Sequence, residues 1–295
     1  LTAPAAGAPP DWRPVDAATG QARDVEGLEA LAEAFPDSGS VRLRLLGALV
    51  GAGEGEGAVE VLRWLGERGY VFTSGARAQI PRRVGEQHAE AARALLLSDA
   101  DPVAASEVVA TVPAEAGLVE SVFAAPDLST VIATSVTQKA LWVRENGNWR
   151  KVPFPGANDL SGIAQDTKRN IGWFASSDMD QSGGSEGLFN GVIGSTPLID
   201  APLLVAAPAG LTLSDIAVDA AGTVFASDPL GGGVYRAALG ESEFAPLARP
   251  GTFRSPQGLA PSADGARLYV SDYRYGLAMI DLASGEVSRL ESDVP

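Results

Sequence analysis

Two different periods of hydrophobic residues divide the chain. Between residues 24 and 97 the apolar positions recur with the 3.6-residue period of amphipathic helices, as in Leu28, Leu31 and Phe35. After Ala100 the period changes to two, and short apolar runs alternate with turns rich in glycine, aspartate and serine. Residues 1–20 follow neither period and are expected to form an extended leader. The pattern therefore predicts a helical region followed by a region of many short strands.

The helical region has recognisable start and stop signals. Ser40 is expected to be the N-cap of the second helix, and the third helix is expected to end at Gly69. The last helix should span about residues 76–97 and be interrupted at Pro81, because proline removes a backbone donor from a helix interior.

The strand region repeats one unit of four short segments joined by tight turns. The clearest copy occupies residues 257–290. We align the units on Val122, Ile163, Ile216 and Leu259, which recur at the interval of about 40 to 50 residues that is typical of propeller blades. A large side chain on the second strand of each unit is assigned to Ile132, Phe174, Phe225 and Tyr269. The prediction is a mainly β fold, a β-propeller with about four blades in this chain, preceded by a small all-α domain.

The charge of the chain restricts its partners. The formal net charge is -15, and acidic residues outnumber basic ones in both regions. Such a surface repels phosphate backbones and anionic lipids, so nucleic acid is not an expected partner. No apolar run is long enough for a membrane span.

Other chemistry is limited by what the composition lacks. Without cysteine the chain has no disulfide, thiolate metal site or cysteine nucleophile. The single histidine, His88, lines up with an apolar helix face and is expected to pack there. Residues 1–10 resemble the linker left after removal of a secretory signal, which predicts a periplasmic or secreted protein.

Three segments of the fourth unit carry a family resemblance. Residues 257–265, 268–272 and 276–282 resemble the NHL and gluconolactonase-like superfamily of six-bladed propellers, of the senescence marker protein type. Six blades need about 250 residues, more than the chain provides after Ala110. We therefore expect a propeller that is truncated or nicked at its C-terminus, with a closed four-bladed ring as the alternative. Ser106–Val112 has the alternation of a strand that closes the last blade, and the partner blade would then lie beyond Pro295.

The middle helices resemble a tetratricopeptide hairpin. Leu46 and Gly47 occupy its close-packing positions, and Ala58, Leu62 and Leu65 lie on the partner helix. The expected division is a leader over residues 1–20, a tetratricopeptide-like helical domain over 21–104, and the propeller over 105–295.

The propeller resemblance implies a divalent metal at the channel mouth, held by oxygen ligands from the inner strands. The equivalent positions here are Glu120, Ser161, Ser214 and Gln257, of which Glu120 alone is charged. Further carboxylates would come from Asp215, Asp228 and Asp272 if these side chains turn inward. For Asp228 and Asp272 the alternative is that they cap tight loops. No residue is assigned a catalytic role.

A loop of the second unit resembles the start of a calcium-binding loop. Its oxygen ligands would be Asp178, Asp180, Ser182 and Glu186. Phe189 stands at the twelfth position, where such loops have a bidentate glutamate, so a solvated acidic loop is the alternative.

Two functions remain open at the level of the sequence. The first is a binding protein whose partner is a protein or a small-molecule ligand, with no cofactor assigned. The alternative is a lactone hydrolase that depends on calcium or another divalent metal.

Overall fold

The computed structural model describes residues 22–97, 106–179, 187–196 and 201–292. These residues form five α-helices followed by four four-stranded antiparallel sheets, which confirms the predicted class, a mainly β propeller fold with a small helical N-terminal region. The helices are α1 Val25–Ala34, α2 Gly39–Ala52, α3 Gly55–Glu67, α4 Ser74–Arg83 and α5 Glu86–Leu96. None of the helices in these ranges is long and apolar enough to cross a bilayer.

Each sheet is one blade, and its strands follow one another in sequence order. Blade 1 comprises β1 Val119–Ala124, β2 Thr130–Ser135, β3 Ala140–Glu145 and β4 Asn148–Pro153. Blade 2 comprises β5 Asp159–Asp166, β6 Ile171–Ser177, β7 Gly191–Ser195 and β8 Leu203–Ala206. Blade 3 comprises β9 Ile216–Val218, β10 Val224–Asp228, β11 Gly233–Ala237 and β12 Ala245–Ala248. Blade 4 comprises β13 Pro256–Pro261, β14 Arg267–Asp272, β15 Gly276–Asp281 and β16 Val287–Arg289.

The first strands of successive blades pack side by side as the inner wall of an arc. Strand β5 contacts β1 on one side and β9 on the other, and β9 contacts β13. Gly162 makes the closest approach, since a Cβ there would lie 2.4 Å from the carbonyl oxygen of Ser214. No comparable packing joins β13 to β1 among the described residues, so the arc is open. The alternative of a closed four-bladed ring is therefore wrong.

Blade 2 corrects the alignment of the large side chains. Ile132 of blade 1 and Phe174 of blade 2 belong to the same apolar cluster between these two blades. Trp173 packs instead against Ile216 of blade 3, so Trp173 and not Phe174 is the equivalent of Ile132. Since successive side chains of a strand point to opposite faces, the error was a shift of one residue. The shift was not visible in the sequence because residue 172 is a glycine. The Phe174 ring lies beside the position that a side chain would take there.

Two helix boundaries also differ from the prediction. Ser38, not Ser40, caps α2, and its hydroxyl oxygen accepts the amide of Val41 at 3.1 Å. Pro81 lies inside the last turn of α4, and the interruption falls at Gly85. Gly85 has φ +88°, a conformation that glycine adopts without the steric cost of a Cβ.

The segment Ser106–Val112 is not a strand. It pairs with no strand in the described part of the chain, and Val108 is 85% exposed. The alternation that predicted a strand is present, but a strand also needs a neighbour that satisfies its backbone groups.

The helices pack directly against blade 4. The ring of Phe35, just after α1, stacks on Tyr275 with centroids 3.9 Å apart and an angle of 7° between the planes. Ser38 donates its hydroxyl to the carbonyl of Arg274, and Asp37 forms an ion pair with Arg289. One apolar cluster therefore continues from the helices into blade 4 and on into blade 3.

Candidate functional site

The four inner-strand positions at which the propeller resemblance implies metal ligands have unequal environments. Glu120 on β1 is exposed, and its Oε2 accepts the hydroxyl of Ser121 at 2.8 Å. Ser161 and Ser214 are buried, and the Ser161 hydroxyl donates to the carbonyl oxygen of Ser214 at 3.1 Å. Gln257 is exposed and donates from Nε2 to the hydroxyl of Ser255. The serine positions thus join inner strands, while Glu120 and Gln257 face solvent.

Asp215 precedes β9 and connects blade 3 to blade 4. Its Oδ2 accepts the backbone amide of Leu259 on β13 at 2.8 Å. Burial raises the pKa of Asp215 to about 6, against the opposing effect of that hydrogen bond and one from Ile216, and the charge of Glu120 raises the pKa further. Glu120 lies on the inner strand of blade 1, so the charge of one blade acts on a carboxyl of another.

Asp228 and Asp272 hold loops. The Oδ1 of Asp228 accepts the amides of Leu230 at 3.2 Å and Gly231 at 2.9 Å. Asp272 accepts four backbone amides, those of Arg254, Ser255, Arg274 and Tyr275. Burial raises the pKa of Asp272, and the four hydrogen bonds act in the opposite direction. Both carboxyls accept amides of the loop that follows their strand, and Asp272 also accepts those of the segment that leads into β13.

Sequence reasoning missed a polar cluster between blades 1 and 2. The Lys139 ammonium lies 3.2 Å from Asp159 Oδ1 and 2.9 Å from Asn158 Oδ1. Asp159 is only 1% exposed and also accepts the amide of Met179. The signal that was available is the Asn-Asp pair directly before an apolar strand.

Most of the calcium-like loop falls outside the described residues. Asp180, Ser182 and Glu186 belong to the part that the structure does not describe. Asp178 is described, and its carbonyl accepts the hydroxyl of Thr212 at 3.3 Å. Within the described ranges no three carboxylate or histidine side chains come together as a metal site.

His88 lies in the helical domain on α5. Its ring packs against Gly55 at the start of α3, where a Cβ would lie 2.5 Å from the ring. The Nε2 atom is 3.0 Å from Nε2 of Gln87.

No protein-family model matches the sequence, and no curated protein matches it. Among solved structures, a streptogramin B lyase is similar over 60% of this chain and 55% of its own, with 16% identity and a TM-score of 0.47. A chain of a nidogen/laminin complex is similar over 61% of this chain and 66% of its own, with 16% identity and a TM-score of 0.47. Virginiamycin B lyase from Staphylococcus aureus has 15% identity and a TM-score of 0.47, over 60% and 56% of the two chains. The chain thus spans 55% to 66% of the length of these structures, and the likeness concerns the fold alone.

Asp215→Asn is expected to make the fold less sensitive to pH. The ordinary pKa of aspartate is about 3.9, so the folded state holds this proton more tightly than the unfolded chain. The stability that the proton contributes is fully present below about pH 4 and is lost as the pH rises through about 6. The variant should match wild type near pH 4 and exceed its free energy of unfolding by on the order of 2 kcal/mol at pH 8. Urea unfolding at the two pH values measures this, with the exposed Glu243→Gln as control. An equal difference at both pH values would refute it.

Proposed function

We propose that this chain is a ligand-binding propeller with a helical interaction domain, and that its inner wall holds a positively charged group of the ligand. The observation that carries the proposal is the placement of Glu120 and Asp215. Glu120 lies on the innermost strand of blade 1 and Asp215 directly before that of blade 3, at neighbouring positions of the repeat, and the charge of Glu120 raises the pKa of Asp215.

A cation between these carboxyls relieves an unfavourable arrangement. Asp215 is largely removed from water, and the charge of Glu120 opposes its ionisation. A positive charge nearby lowers the pKa of Asp215, because it favours the charged form of the carboxyl. Binding near pH 6 should therefore release a proton, and affinity should fall as the pH is lowered.

Calorimetric titration of the full chain tests the proposal with three probes: calcium, manganese and 1,4-diaminobutane. We expect saturable binding of at least one probe at pH 7.5. The affinity for the probe should be weakened about tenfold or more in Glu120→Gln, since the substitution removes the carboxylate that pairs with the cation. Affinity should also be lower at pH 5, where Asp215 is protonated.

Glu243→Gln is the matched control, because it removes the same charge from an exposed site near the outer strand of blade 3. If Glu120→Gln binds every probe as wild type does, or if no probe binds at all, the inner wall does not have this role.

A divalent metal-dependent lactone hydrolase is the second candidate, and the same two carboxyls favour it. Hard cations prefer carboxylate oxygens, and Glu120 with Asp215 would supply two. The other inner-strand positions fit a metal only in part, because Ser161 and Ser214 are buried and the Ser161 hydroxyl is turned to backbone carbonyls. No catalytic step is therefore assigned. Adding a lactone such as gluconolactone to the metal titration separates the candidates: metal-dependent turnover that Glu120→Gln abolishes selects the hydrolase, and binding without turnover selects the binding protein.

A further inference from the structure

Two arginines lie on one tryptophan in the helical domain. The guanidinium carbon of Arg42 is 5.0 Å from the centroid of the Trp64 ring, and that of Arg68 is 4.0 Å from it. Cation-π attraction stabilises each contact, but the two positive charges repel each other. Burial lowers the pKa of Arg42, and the charge of Arg68 lowers it further. Packing on Trp64 therefore holds two guanidinium groups close together although their charges repel each other.

The two guanidinium groups also have unused hydrogen-bond donors. The Nε atoms of Arg42 and Arg68 are buried and have no hydrogen-bond acceptor among the described residues. Neither side chain forms an ion pair within 4 Å to a carboxylate in those ranges. Buried donors are nearly always paired in folded proteins, so two adjacent exceptions on cationic side chains require an explanation.

A third arginine stands beside this pair at the junction with blade 4. Arg68 and Arg289 line a cleft of about 490 Å³ together with Pro36 and Asp37. Pro36 is also a wall of the neighbouring cleft, which contains Arg42 and Trp64. We call Arg42, Arg68 and Arg289 the arginine cluster.

Five acidic side chains line the two clefts, and one of them is paired with a cluster arginine. Asp37 is paired with Arg289, and its charge also raises the pKa of Arg42. The other acids that line the two clefts are Glu291 in one and Glu29, Glu33 and Glu60 in the other. None of these four forms an ion pair with a cluster arginine within the described ranges. Arg42 and Arg68 thus have no carboxylate partner within 4 Å among the described residues, although acidic side chains also line the two clefts.

We propose that the arginine cluster binds an oxyanion, a carboxylate or phosphate group of a small molecule, at the junction of the helical domain and blade 4. Guanidinium groups present planar sets of N–H donors that match the oxygens of both anions. The bound oxyanion would accept donors of Arg42 and Arg68 and screen their repulsion. Because Arg289 belongs to β16, the ligand would also link the helices to the propeller. This site is separate from the inner wall and does not depend on the function proposed there.

Calorimetry on the full chain tests the site with inorganic phosphate and with succinate, each titrated at constant ionic strength set with sodium chloride. We expect saturable binding of one equivalent of phosphate or succinate, and the better ligand identifies which oxyanion is preferred. Arg68→Gln should weaken this binding about tenfold or more, since a charge-assisted pair is lost. Arg42→Lys keeps the charge but loses the planar donor set, and should weaken binding by about threefold.

Arg63→Gln is the matched control, because it removes the same charge from the exposed side of α3 and should leave the affinity unchanged. Thermal unfolding identifies any variant that fails to fold, in which case Arg42→Lys decides. The proposal is overturned if neither anion gives saturable binding to wild type. It is also overturned if Arg63→Gln weakens binding as much as Arg68→Gln does, because the effect is then one of overall charge.

Discussion

Phe35→Ala should lower the free energy of unfolding by about 3 to 5 kcal/mol, the range for removal of a buried aromatic side chain. Phe35 is 2% exposed and stacks on Tyr275 of blade 4, which is 3% exposed. The substitution leaves a cavity in the core that the helices share with the propeller. Urea denaturation followed by circular dichroism measures the change.

Two further variants give this measurement its meaning. Phe35→Leu retains most of the apolar volume and should cost less than Phe35→Ala. Val71→Ala is the exposed control, since Val71 is 56% exposed, and should change stability by less than about 0.5 kcal/mol. If the helices unfold in a separate urea transition, and Phe35→Ala shifts the midpoint of that transition alone, the helices and the propeller do not share a core.

Asp272→Ala should cost about 3 kcal/mol or more, because four buried or half-buried amides lose their acceptor. The carboxylate accepts the amides of Arg254 at 2.6 Å, Ser255 at 3.3 Å, Arg274 at 2.8 Å and Tyr275 at 3.2 Å. These hydrogen bonds fix the β14–β15 loop and the segment that leads into β13. Chemical denaturation of purified protein gives the value.

Asp264→Ala serves as the comparison within the same blade. Asp264 is exposed in the turn before β14 and accepts the amide of Ala266 at 3.0 Å. Its loss should cost clearly less than the loss of Asp272, since water replaces the lost acceptor. Equal costs for the two variants would show that Asp272 is not the anchor of its loop.

The blades were predictable because their determinants are local. Alternating side chains and turn residues specify each hairpin, so residues 257–290 were recognised as a unit of four short segments, and the structure forms four strands there. The error at Phe174 arose where Gly172 interrupts the alternation, and only packing between blades shows which face each ring occupies. The break falls at Gly85 rather than at Pro81, because α4 continues through Pro81 to Arg83 and the chain changes direction only at the positive φ of Gly85.

The site was predictable only in part. Asp215 was named as a candidate from its place in the repeat, but its environment depends on Leu259 of the next blade and Glu120 across the arc. That Ser161 would donate to the backbone follows from the close approach at Gly162, which a single sequence does not reveal. Arg42 and Arg68 carry no motif at all, because helix packing alone brings them to Trp64.

The contact between Phe35 and Tyr275 has a mechanical consequence. Tyr275 belongs to the short loop between β14 and β15, the same loop that Asp272 fixes through the amides of Arg274 and Tyr275. Tension applied to α1 would therefore reach blade 4 through this loop, and also through the ion pair between Asp37 and Arg289 of β16. Within the loop, the hydrogen bonds from Arg274 and Tyr275 to Asp272 connect the stacked ring to the sheet of blade 4.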